Sequence, residues 1–517
     1  MSERFTYTSG ALAPELDERF EASLASVRAA TPEPFAHLIA GEPDPSGDVF
    51  ERRDPCRSER VASRAHAAPQ ATADRALAAA RRAAETWRRT PHRERCEHLR
   101  AVAHAIAERH LQLAAAISLE TGKTRAESIA EVQEAIDLID TYCAQIEAAD
   151  GFQAPLRGLD EREHNTDTLR PYGVFAVISP FNFPLALAVN MLAAALLTGN
   201  TVVVKPSELA PWTGALLAES LLAGGLPAGA VNLLHGGERT GRALVQAGPD
   251  GVAFTGSVPV GREIAARLAQ GGWQRPLLAE LGGKNPAIVT EHADLHAAAE
   301  GIARAAFGLS GQKCSACSRA IVCDPVYEEL LELLVAQVDA QALGDPADRR
   351  STLGPVIDEE ASARFEQSVR AAERDGRVLA GGGAPAQVGG ARGHYVEPTV
   401  VDGLPRGHPL TRRELFLPLL TVTRVSDLGA AIAEANDVDY GLTAGVFSRD
   451  EREVQEFLER VQAGVLYVNR RAGATTGAWP GAQSFCGWKA SGLTGKGGLG
   501  PHYLPQFARE QSWTIVR

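Results

Sequence analysis

A short stretch of the sequence, FGLSGQKCSACSRA at residues 307–320, holds two cysteines at CxxC spacing, Cys314 and Cys317. A zinc site needs about four ligands, and the chain has no second CxxC pair and no suitably spaced histidine after this one. A redox-active pair usually opens a helix of a thioredoxin-like unit, which these surroundings do not match. An inert core residue is a further alternative, because cysteine is among the most often buried residue types. The small, polar neighbours of Cys314 favour a thiol nucleophile instead, with Cys317 as a small buried neighbour.

The residues before Cys314 also predict how its thiol is activated. A glycine-bearing turn that leads into a helix would place the sulfur near helix-terminal N–H groups, which lower the pKa of a thiol. Two polar residues elsewhere could take part in the same chemistry. Seen alone, Asn182 is equally a turn residue between Phe and Pro, and Glu280 is equally a solvent-facing carboxylate at the end of a strand.

A glycine-flanked segment, GSVPVG at residues 256–261, resembles a phosphate-binding loop. Arg262 and Glu263 stand where a P-loop has Lys and Ser or Thr, so we do not interpret it as one. A strand–turn–helix fits better, with Ser257 and the helix N-terminus facing a pyrophosphate.

Alternating short apolar strands and longer helices must position these residues. One such region spans 173–282 and a second spans about 285–470. This alternation indicates parallel sheets, in which ligands bind where strands end and helices begin. The other segments are predicted as a helix near 14–30, helices over 72–149, a hairpin arm at 150–170, and loops ending in a strand at 471–517.

Length, charge and cysteine usage exclude several classes of protein. With 517 residues the chain exceeds what one core usually holds, about 250–300 residues, so two or more domains are expected. The net charge of −12 argues against nucleic-acid binding. The longest apolar run, 184–199, is shorter than the roughly 20 residues of a membrane span and is interrupted by Asn190. Seven scattered cysteines and no signal-peptide pattern favour the reducing cytoplasm.

Four motifs in order define a resemblance: SPFNFP (179–184), KPSE (205–208), ELGGKNP (280–286) and GQKC (311–314). With them the chain resembles the NAD(P)-dependent aldehyde dehydrogenase superfamily over most of its length. The resemblance implies an α/β fold, with a Rossmann-like parallel-sheet nucleotide domain, an α/β catalytic domain and a small β oligomerisation arm.

The same resemblance implies domain boundaries and an assembly. The NAD-binding domain would comprise 1–150 and 171–282, and the catalytic domain 283–475. Residues 151–170 and 476–517 would form the oligomerisation arm and the C-terminal substrate loop. An isolated arm leaves an open sheet edge, so a homodimer is the minimum expected, with higher assemblies of dimers as an alternative.

The family motifs assign catalytic roles to three residues. Cys314 matches the nucleophile, Asn182 an oxyanion donor that works with the backbone N–H of Cys314, and Glu280 the base for hydrolysis. Aldehyde oxidation requires such a set, because a thiolate adds to the carbonyl, the resulting alkoxide needs donors, and a thioester must finally be hydrolysed.

The cofactor implied is NAD, with NADP as the less favoured alternative. Lys205 and Glu208 match the residues that hold the adenosine ribose, and a carboxylate there repels a 2′-phosphate. The implied cofactor-binding residues are Ile178, Ser179, Pro180, Phe181, Lys205, Ser207, Glu208, Gly237, Gly241, Phe254, Gly256, Ser257, Leu281, Glu414 and Phe416. No metal is implied.

Two positions depart from the family pattern. Leu417 follows Phe416 where the family has glycine, which puts the backbone in doubt if that glycine has positive φ. Cys486 replaces a glycine in a loop that neighbours the substrate in the family.

Finer motifs, GQKCSACSR, RAGATTGA (471–478) and GLTGKGGLGPHYL (492–504), look like the 1-pyrroline-5-carboxylate dehydrogenases. These enzymes oxidise L-glutamate γ-semialdehyde to L-glutamate in proline catabolism. The implied substrate residues are Ser315, Gly477 and Ala478 for the α-carboxylate, Phe183 and Phe485 as aromatic walls, and Glu131 for the ammonium.

Alternatives stay open at this point. Glu131 could lie on a solvated helix face, and the Gly-Ala pair could belong to an ordinary loop. The substrate could be another semialdehyde or an aliphatic or aromatic aldehyde, or the chain could be a catalytically silent member of the fold.

Overall fold

The computed structural model describes residues 4–9, 12–30, 33–270, 272–472 and 475–517. Its α-helices are α1 Pro14–Ala29, α2 Gln70–Trp87, α3 His92–Glu108, α4 His110–Thr121, α5 Arg125–Ala148, α6 Ala186–Leu197, α7 Pro211–Ala223, α8 Glu238–Gln246, α9 Val258–Leu268, α10 Leu295–Phe307, α11 Tyr327–Asp339, α12 Glu359–Asp375, α13 Pro409–Arg412, α14 Leu428–Asn436 and α15 Glu451–Arg460.

The strands are shorter and more numerous. They are β1 His37–Ile39, β2 Glu42–Asp44, β3 Val49–Asp54, β4 Arg57–His66, β5 Gln153–Leu156, β6 Glu163–Pro171, β7 Val174–Ile178, β8 Thr201–Lys205, β9 Val231–Leu233, β10 Gly251–Thr255, β11 Leu277–Glu280, β12 Asn285–Val289, β13 Cys317–Cys323, β14 Arg377–Ala380, β15 Thr399–Asp402, β16 Leu419–Val425, β17 Tyr440–Gly441, β18 Thr443–Phe447, β19 Val465–Val468, β20 Trp488–Lys489 and β21 Ala508–Val516.

The first sheet has the strand order β11-β10-β7-β8-β9-β1-β2. Strands β7 to β11 run parallel, and β1 and β2 extend the sheet in antiparallel pairing. The central strands β7, β8 and β10 are buried along their whole length, as expected for a parallel sheet covered on both faces. Their carboxyl ends therefore lie at one edge, where such sheets bind ligands.

The second sheet has the order β14-β15-β16-β13-β12-β18-β19, parallel except for the edge strand β14. A third, antiparallel sheet joins β5 and β6 to the C-terminal strand β21. The hairpin predicted at 150–170 and the predicted terminal strand are thus confirmed, and they pair with each other.

Four helices, α2 to α5, fill the segment predicted to be helical over 72–149. Thr124 and Glu127 form a reciprocal capping box that fixes the start of α5. The chain turns between α3 and α4 at Arg109, whose ψ of 14° is not helical. The helix predicted near 14–30 is confirmed as α1.

Strands β1 to β4, β14 and β15 were not predicted. Most of them are short, β3 carries mostly charged residues, and β4 mixes charged, polar and small residues, so neither a long apolar run nor strict alternation marks them. None of the helices in the described part of the chain is both long and apolar enough to cross a membrane.

Candidate active site

A cavity of about 480 Å³ opens along the carboxyl ends of β7, β8, β10 and β11. Asn182, Glu280 and Cys314 all line it, although the chain separates them widely. Fourteen of the fifteen predicted cofactor residues line it too: Ile178, Ser179, Pro180, Phe181, Lys205, Ser207, Glu208, Gly241, Phe254, Gly256, Ser257, Leu281, Glu414 and Phe416. The remaining one, Gly237, precedes α8 next to this cavity, where a Cβ would lie 3.5 Å from Glu208 Oε1.

Cys314 lies in a tight turn between a 3₁₀ helix and β13. Leu309, Ser310 and Gly311 before it all have positive φ, of 51°, 51° and 70°. Only glycine fits at 311, because a Cβ there would collide with the backbone of the segment that follows Phe416. The side-chain amide of Asn285 donates to the carbonyls of Cys314 and Ala316 at 2.7 and 2.9 Å, which holds the turn after the thiol.

The predicted activation of Cys314 by a helix N-terminus is wrong. A strand, not a helix, follows the turn, so no helix dipole acts on the sulfur. Burial raises the pKa of Cys314 to about 12, and the charges of Glu280 and Glu414 raise it further than the N–H groups of Ser315 and Cys314 lower it. The resting thiol is therefore protonated near neutral pH.

Glu280 ends strand β11 and points its carboxyl group into the cavity. The N–H of Gly498 donates to Glu280 Oε1 at 2.8 Å. Burial raises the pKa of Glu280 to about 7, despite this hydrogen bond, so the carboxyl group exchanges its proton near neutral pH. A solvent-facing carboxylate would not have this property.

Asn182 lies in the loop between β7 and α6, with only 3% of its surface exposed. It lines the same cavity as Cys314, so the predicted role of oxyanion donor stays a prediction that this placement allows.

The far end of the cavity suits an adenosine ribose and a pyrophosphate. Lys205 Nζ donates to the carbonyl of Gly236 at 2.8 Å and lies 3.3 Å from Glu208 Oε2. Helix α9 starts after Ser257 with no side-chain cap, and Ser257 and Val260 of its first turn line the cavity, so the positive end of the helix is available to an anion there. The buried Ser179 Oγ has no hydrogen-bond partner among the described residues. These free groups fit a bound dinucleotide.

Glu414 and Phe416 close the side of the cavity next to Cys314. Glu414 accepts from the N–H of Gly283 at 3.0 Å, and burial raises its pKa to about 7. Phe416 takes the positive φ of 59° and packs edge-on against Phe181. Leu417 is buried and has no positive φ, so the departure from the family glycine needs no strained backbone at that position.

The predicted substrate residues lie outside this cavity but next to its catalytic end. Phe183 follows Asn182, and Ser315 follows Cys314. Phe183, Ala478 and Phe485 pack against the same hydrophobic cluster. The N–H of Ala478, predicted to bind a carboxylate, donates to Thr476 Oγ1 at 3.0 Å, so a ligand would have to replace that bond. Gly477 lies beside Gln483.

Glu131 is fully buried on α5, so it does not lie on a solvated helix face. Its Oε1 accepts from the N–H groups of Leu185 and Ala186 at 2.9 and 3.2 Å, and its Oε2 pairs with the ammonium of Lys123. Lys123 Nζ also lies 3.6 Å from the ring centroid of Phe183. Every oxygen of Glu131 thus has a protein donor, and a substrate ammonium could bind it only in competition with Lys123.

The two further cysteines near the site have packing roles. Cys317 is buried at the start of β13, and its thiol donates to the carbonyl of Arg319 at 3.5 Å. Cys486, which replaces a family glycine, donates to the carbonyl of Gly464 at 3.3 Å. The described residues contain no group of three or more His, Cys, Asp or Glu side chains arranged to hold a metal ion.

Sequence reasoning missed several groups around the site. The buried Lys284 Nζ has no hydrogen-bond partner among the described residues, and burial lowers its pKa to about 7. Tyr7 donates to Glu134 at 2.8 Å and packs edge-on against the Phe183 ring. The N-terminal segment therefore reaches the predicted substrate side, and no local pattern in the sequence signals this.

A cysteine and a carboxyl group with a raised pKa line one cavity of an α/β fold, which is the set of groups that an enzyme of nucleophilic catalysis needs. The sequence matches the aldehyde dehydrogenase family over residues 43–512, and the chain belongs to this family.

Individual relatives narrow the comparison. The chain is 34% identical over 492 residues to a 1-pyrroline-5-carboxylate dehydrogenase of Bacillus cytotoxicus, covering 94% of this chain and 93% of the relative. The solved structure of 1-pyrroline-5-carboxylate dehydrogenase from Thermus with bound NAD superposes with a TM-score of 0.93 at 31% identity, covering all of both chains. Proline utilization A from Bdellovibrio bacteriovorus is similar at a TM-score of 0.92 and 33% identity, and this chain spans 54% of that longer protein.

Proposed function

We propose that the protein oxidises L-glutamate γ-semialdehyde to L-glutamate with NAD as the hydride acceptor, as a step of proline catabolism. The observation that carries the proposal is the shared cavity, which joins Cys314, Asn182 and Glu280 to the Lys205–Glu208 end. The names of the similar proteins support the choice of substrate.

The proposed chemistry begins at the Cys314 sulfur. The thiol first loses its proton to solvent; the thiolate then adds to the aldehyde carbon, and the side-chain amide of Asn182 with the N–H of Cys314 stabilises the alkoxide that forms. The cofactor, when bound, supplies the hydride acceptor and a positive ring charge that favours the thiolate. Loss of hydride leaves a thioester on Cys314. Glu280 then takes a proton from water, which attacks the thioester and releases the acid.

Glu280 distinguishes this proposal from a CoA-acylating enzyme, and the shared cavity distinguishes it from a catalytically silent homologue. A CoA-acylating enzyme would not need the carboxyl group of Glu280 at this place. A catalytically silent homologue would have no reason to bring Cys314, Asn182 and Glu280 together around one cavity.

Recognition of the amino-acid end of the substrate is assigned to the predicted residues near Phe183. Ser315 and the N–H groups of Gly477 and Ala478 would bind the α-carboxylate without an arginine. The rings of Phe183 and Phe485 would enclose the carbon chain.

A substrate panel tests the proposal. We expect kcat/KM for pyrroline-5-carboxylate to exceed the values for succinic semialdehyde and hexanal by about a hundredfold, since two lost hydrogen bonds to a charged group, at about 1.5 kcal/mol each, amount to that factor. A flat profile would leave an aldehyde dehydrogenase of another specificity, and no NADH with any aldehyde would indicate a silent member of the family.

NAD is proposed over NADP because of Glu208. Its carboxylate, 3.3 Å from Lys205 Nζ, would accept from the ribose hydroxyls and repel a 2′-phosphate. Comparing kcat/KM for the two cofactors tests this.

The domain division and assembly are also proposals. We divide the chain into 1–150 with 171–282, 283–475, and 151–170 with 476–517, which the three sheets support. Trp513, Ile515 and Val516 on the arm are exposed apolar residues, which supports pairing with a second copy. Light scattering on the purified protein would distinguish monomer, dimer and larger assemblies.

The free cysteine thiols support a reducing compartment, the cytoplasm.

A further inference from the structure

The loop at residues 497–499 contacts the general base. The N–H of Gly498 donates to Glu280 Oε1 at 2.8 Å, and the N–H of Phe485 donates to the carbonyl of Gly498 at 2.9 Å. One residue of this loop therefore fixes both the carboxyl group proposed to activate water and a ring proposed to hold the substrate.

A buried hydroxyl on α5 holds this loop. The N–H of Leu499 donates to Tyr142 Oη at 2.9 Å, and Tyr142 Oη donates to Asn190 Oδ1 at 2.5 Å. Asn190 Nδ2 lies 3.4 Å from Tyr503 Oη, which completes the network. Tyr142, Asn190 and Tyr503 are all buried, so no water replaces these bonds.

The loop also packs closely against the side chain of Asn190. A Cβ at Gly498 would lie 2.7 Å from Asn190 Nδ2 and 2.9 Å from its Oδ1. The loop is therefore held from two sides, by the hydroxyl of Tyr142 and by the side chain of Asn190.

We propose that Tyr142 is a positioning residue for hydrolysis, which keeps the Gly498 N–H on Glu280. This inference rests on the proposed function. Tyr142 touches no reacting atom, and it acts through Leu499 and Gly498. Without its hydroxyl, the Leu499 N–H is left buried without an acceptor, and the loop shifts to satisfy it. Glu280 then loses the hydrogen-bond donor that favours its ionised form, and with it the contact that fixes the orientation of its carboxyl group.

Four groups that face Glu280, namely Cys314, Tyr142, Tyr503 and Cys486, are neutral in the resting protein, whereas Glu414 in the same cavity has a pKa raised to about 7. Burial raises the pKa values of these four groups, and the charge of Glu280 adds to the effect. The Gly498 N–H is the hydrogen bond that lowers the pKa of Glu280 itself. A pH profile of hydrolysis therefore reports on this contact.

The test is the Tyr142→Phe variant of the full chain, with NAD and glutamate semialdehyde in stopped flow. We expect the first equivalent of NADH to form at the normal rate and the steady-state rate to fall about five- to tenfold, the effect of one lost buried hydrogen bond. The acid limb of the steady-state pH profile should move to higher pH. Intact-mass measurement during turnover should show more acyl-enzyme than in the wild type.

Two further variants provide a matched control and a second way of displacing the loop. Tyr327→Phe is the matched control, because it also removes a buried hydroxyl, one that donates to Asp402 at 3.2 Å in the second sheet. It should leave both phases unchanged. Gly498→Ala displaces the loop against Asn190 while Tyr142 stays intact, and it should reproduce the hydrolytic defect.

The outcomes separate the two proposals. Wild-type hydrolysis and an unmoved pH profile in both Tyr142→Phe and Gly498→Ala would overturn the positioning role alone. An equal loss of the first NADH equivalent and of the steady state would also overturn it, because the defect would then precede hydrolysis. No NADH from the wild type would overturn the proposed function and the inference with it.

Discussion

The steady-state rate should depend on pH near neutrality, because burial raises the pKa of Glu280 to about 7. An ordinary glutamate, with a pKa of about 4.3, would be fully ionised there. With the raised value, about half of the Glu280 carboxyl groups are ionised at pH 7 and about a tenth at pH 6. If deacylation limits turnover, the steady-state rate should therefore fall about fivefold between these two pH values.

The Glu280→Gln variant isolates this effect. Glutamine can still accept the Gly498 N–H but cannot take a proton from water. We expect the steady state to fall by about 10² to 10⁴, the range for loss of a general base, while the first equivalent of NADH still forms. The pH dependence near neutrality should disappear together with the base.

Stopped-flow absorbance of NADH separates the two phases, with quenched samples measured for acyl-enzyme on Cys314. An unchanged steady state in Glu280→Gln would remove Glu280 from hydrolysis. A wild-type rate that is flat between about pH 6 and 8, while the acyl-enzyme accumulates, would show that the carboxyl group has an ordinary pKa and that burial does not act as argued.

Four other variants test separate parts of the proposal. Cys314→Ala should abolish NADH formation while NAD still binds by calorimetry, and remaining oxidation would place the nucleophile elsewhere. Ser315→Ala should raise KM for glutamate semialdehyde about tenfold more than for hexanal, and equal effects would argue against its contact with the α-carboxylate. Lys123→Met leaves Glu131 without its cation and should lower the free energy of unfolding by about 3–5 kcal/mol in urea titrations, whereas an unchanged midpoint would contradict the buried pair. Glu208→Gln should narrow the preference for NAD over NADP about tenfold in kcat/KM, and an unchanged ratio would exclude the carboxylate as its cause.

The central parallel strands could be predicted because the pattern that marks them, a short apolar run before a helix, lies within one stretch of sequence. β7 is a continuous apolar run and β8 has three consecutive valines, each strand is followed by a helix, and this pattern is typical of buried parallel strands. The edge strands β2 and β14, and β1 next to β2, have no such signal. They exist because neighbouring strands offer them hydrogen-bond partners, and this depends on the rest of the fold.

The sequence predicted which residues line the cavity better than it predicted the pKa of the Cys314 thiol. Motifs identify which residues meet at the strand ends, and Glu208 and Phe416 lie in the cavity as expected. The small residues around Cys314 suit a tight turn as well as a helix start, and the structure has the turn. The positive φ angles of Leu309 and Ser310 could not be anticipated, because non-glycine residues rarely adopt them.

Burial has opposite consequences for the two reacting groups in the cavity. It raises the pKa of Glu280 to about 7, which places this base where it can exchange protons at neutral pH. It also raises the pKa of Cys314 to about 12, which keeps the nucleophile protonated at rest. Glu280 and Glu414 add to the second effect, so ionising these carboxyl groups disfavours the thiolate. A positive charge bound beside the sulfur would lower the pKa of Cys314 and so favour the thiolate that the proposed attack requires.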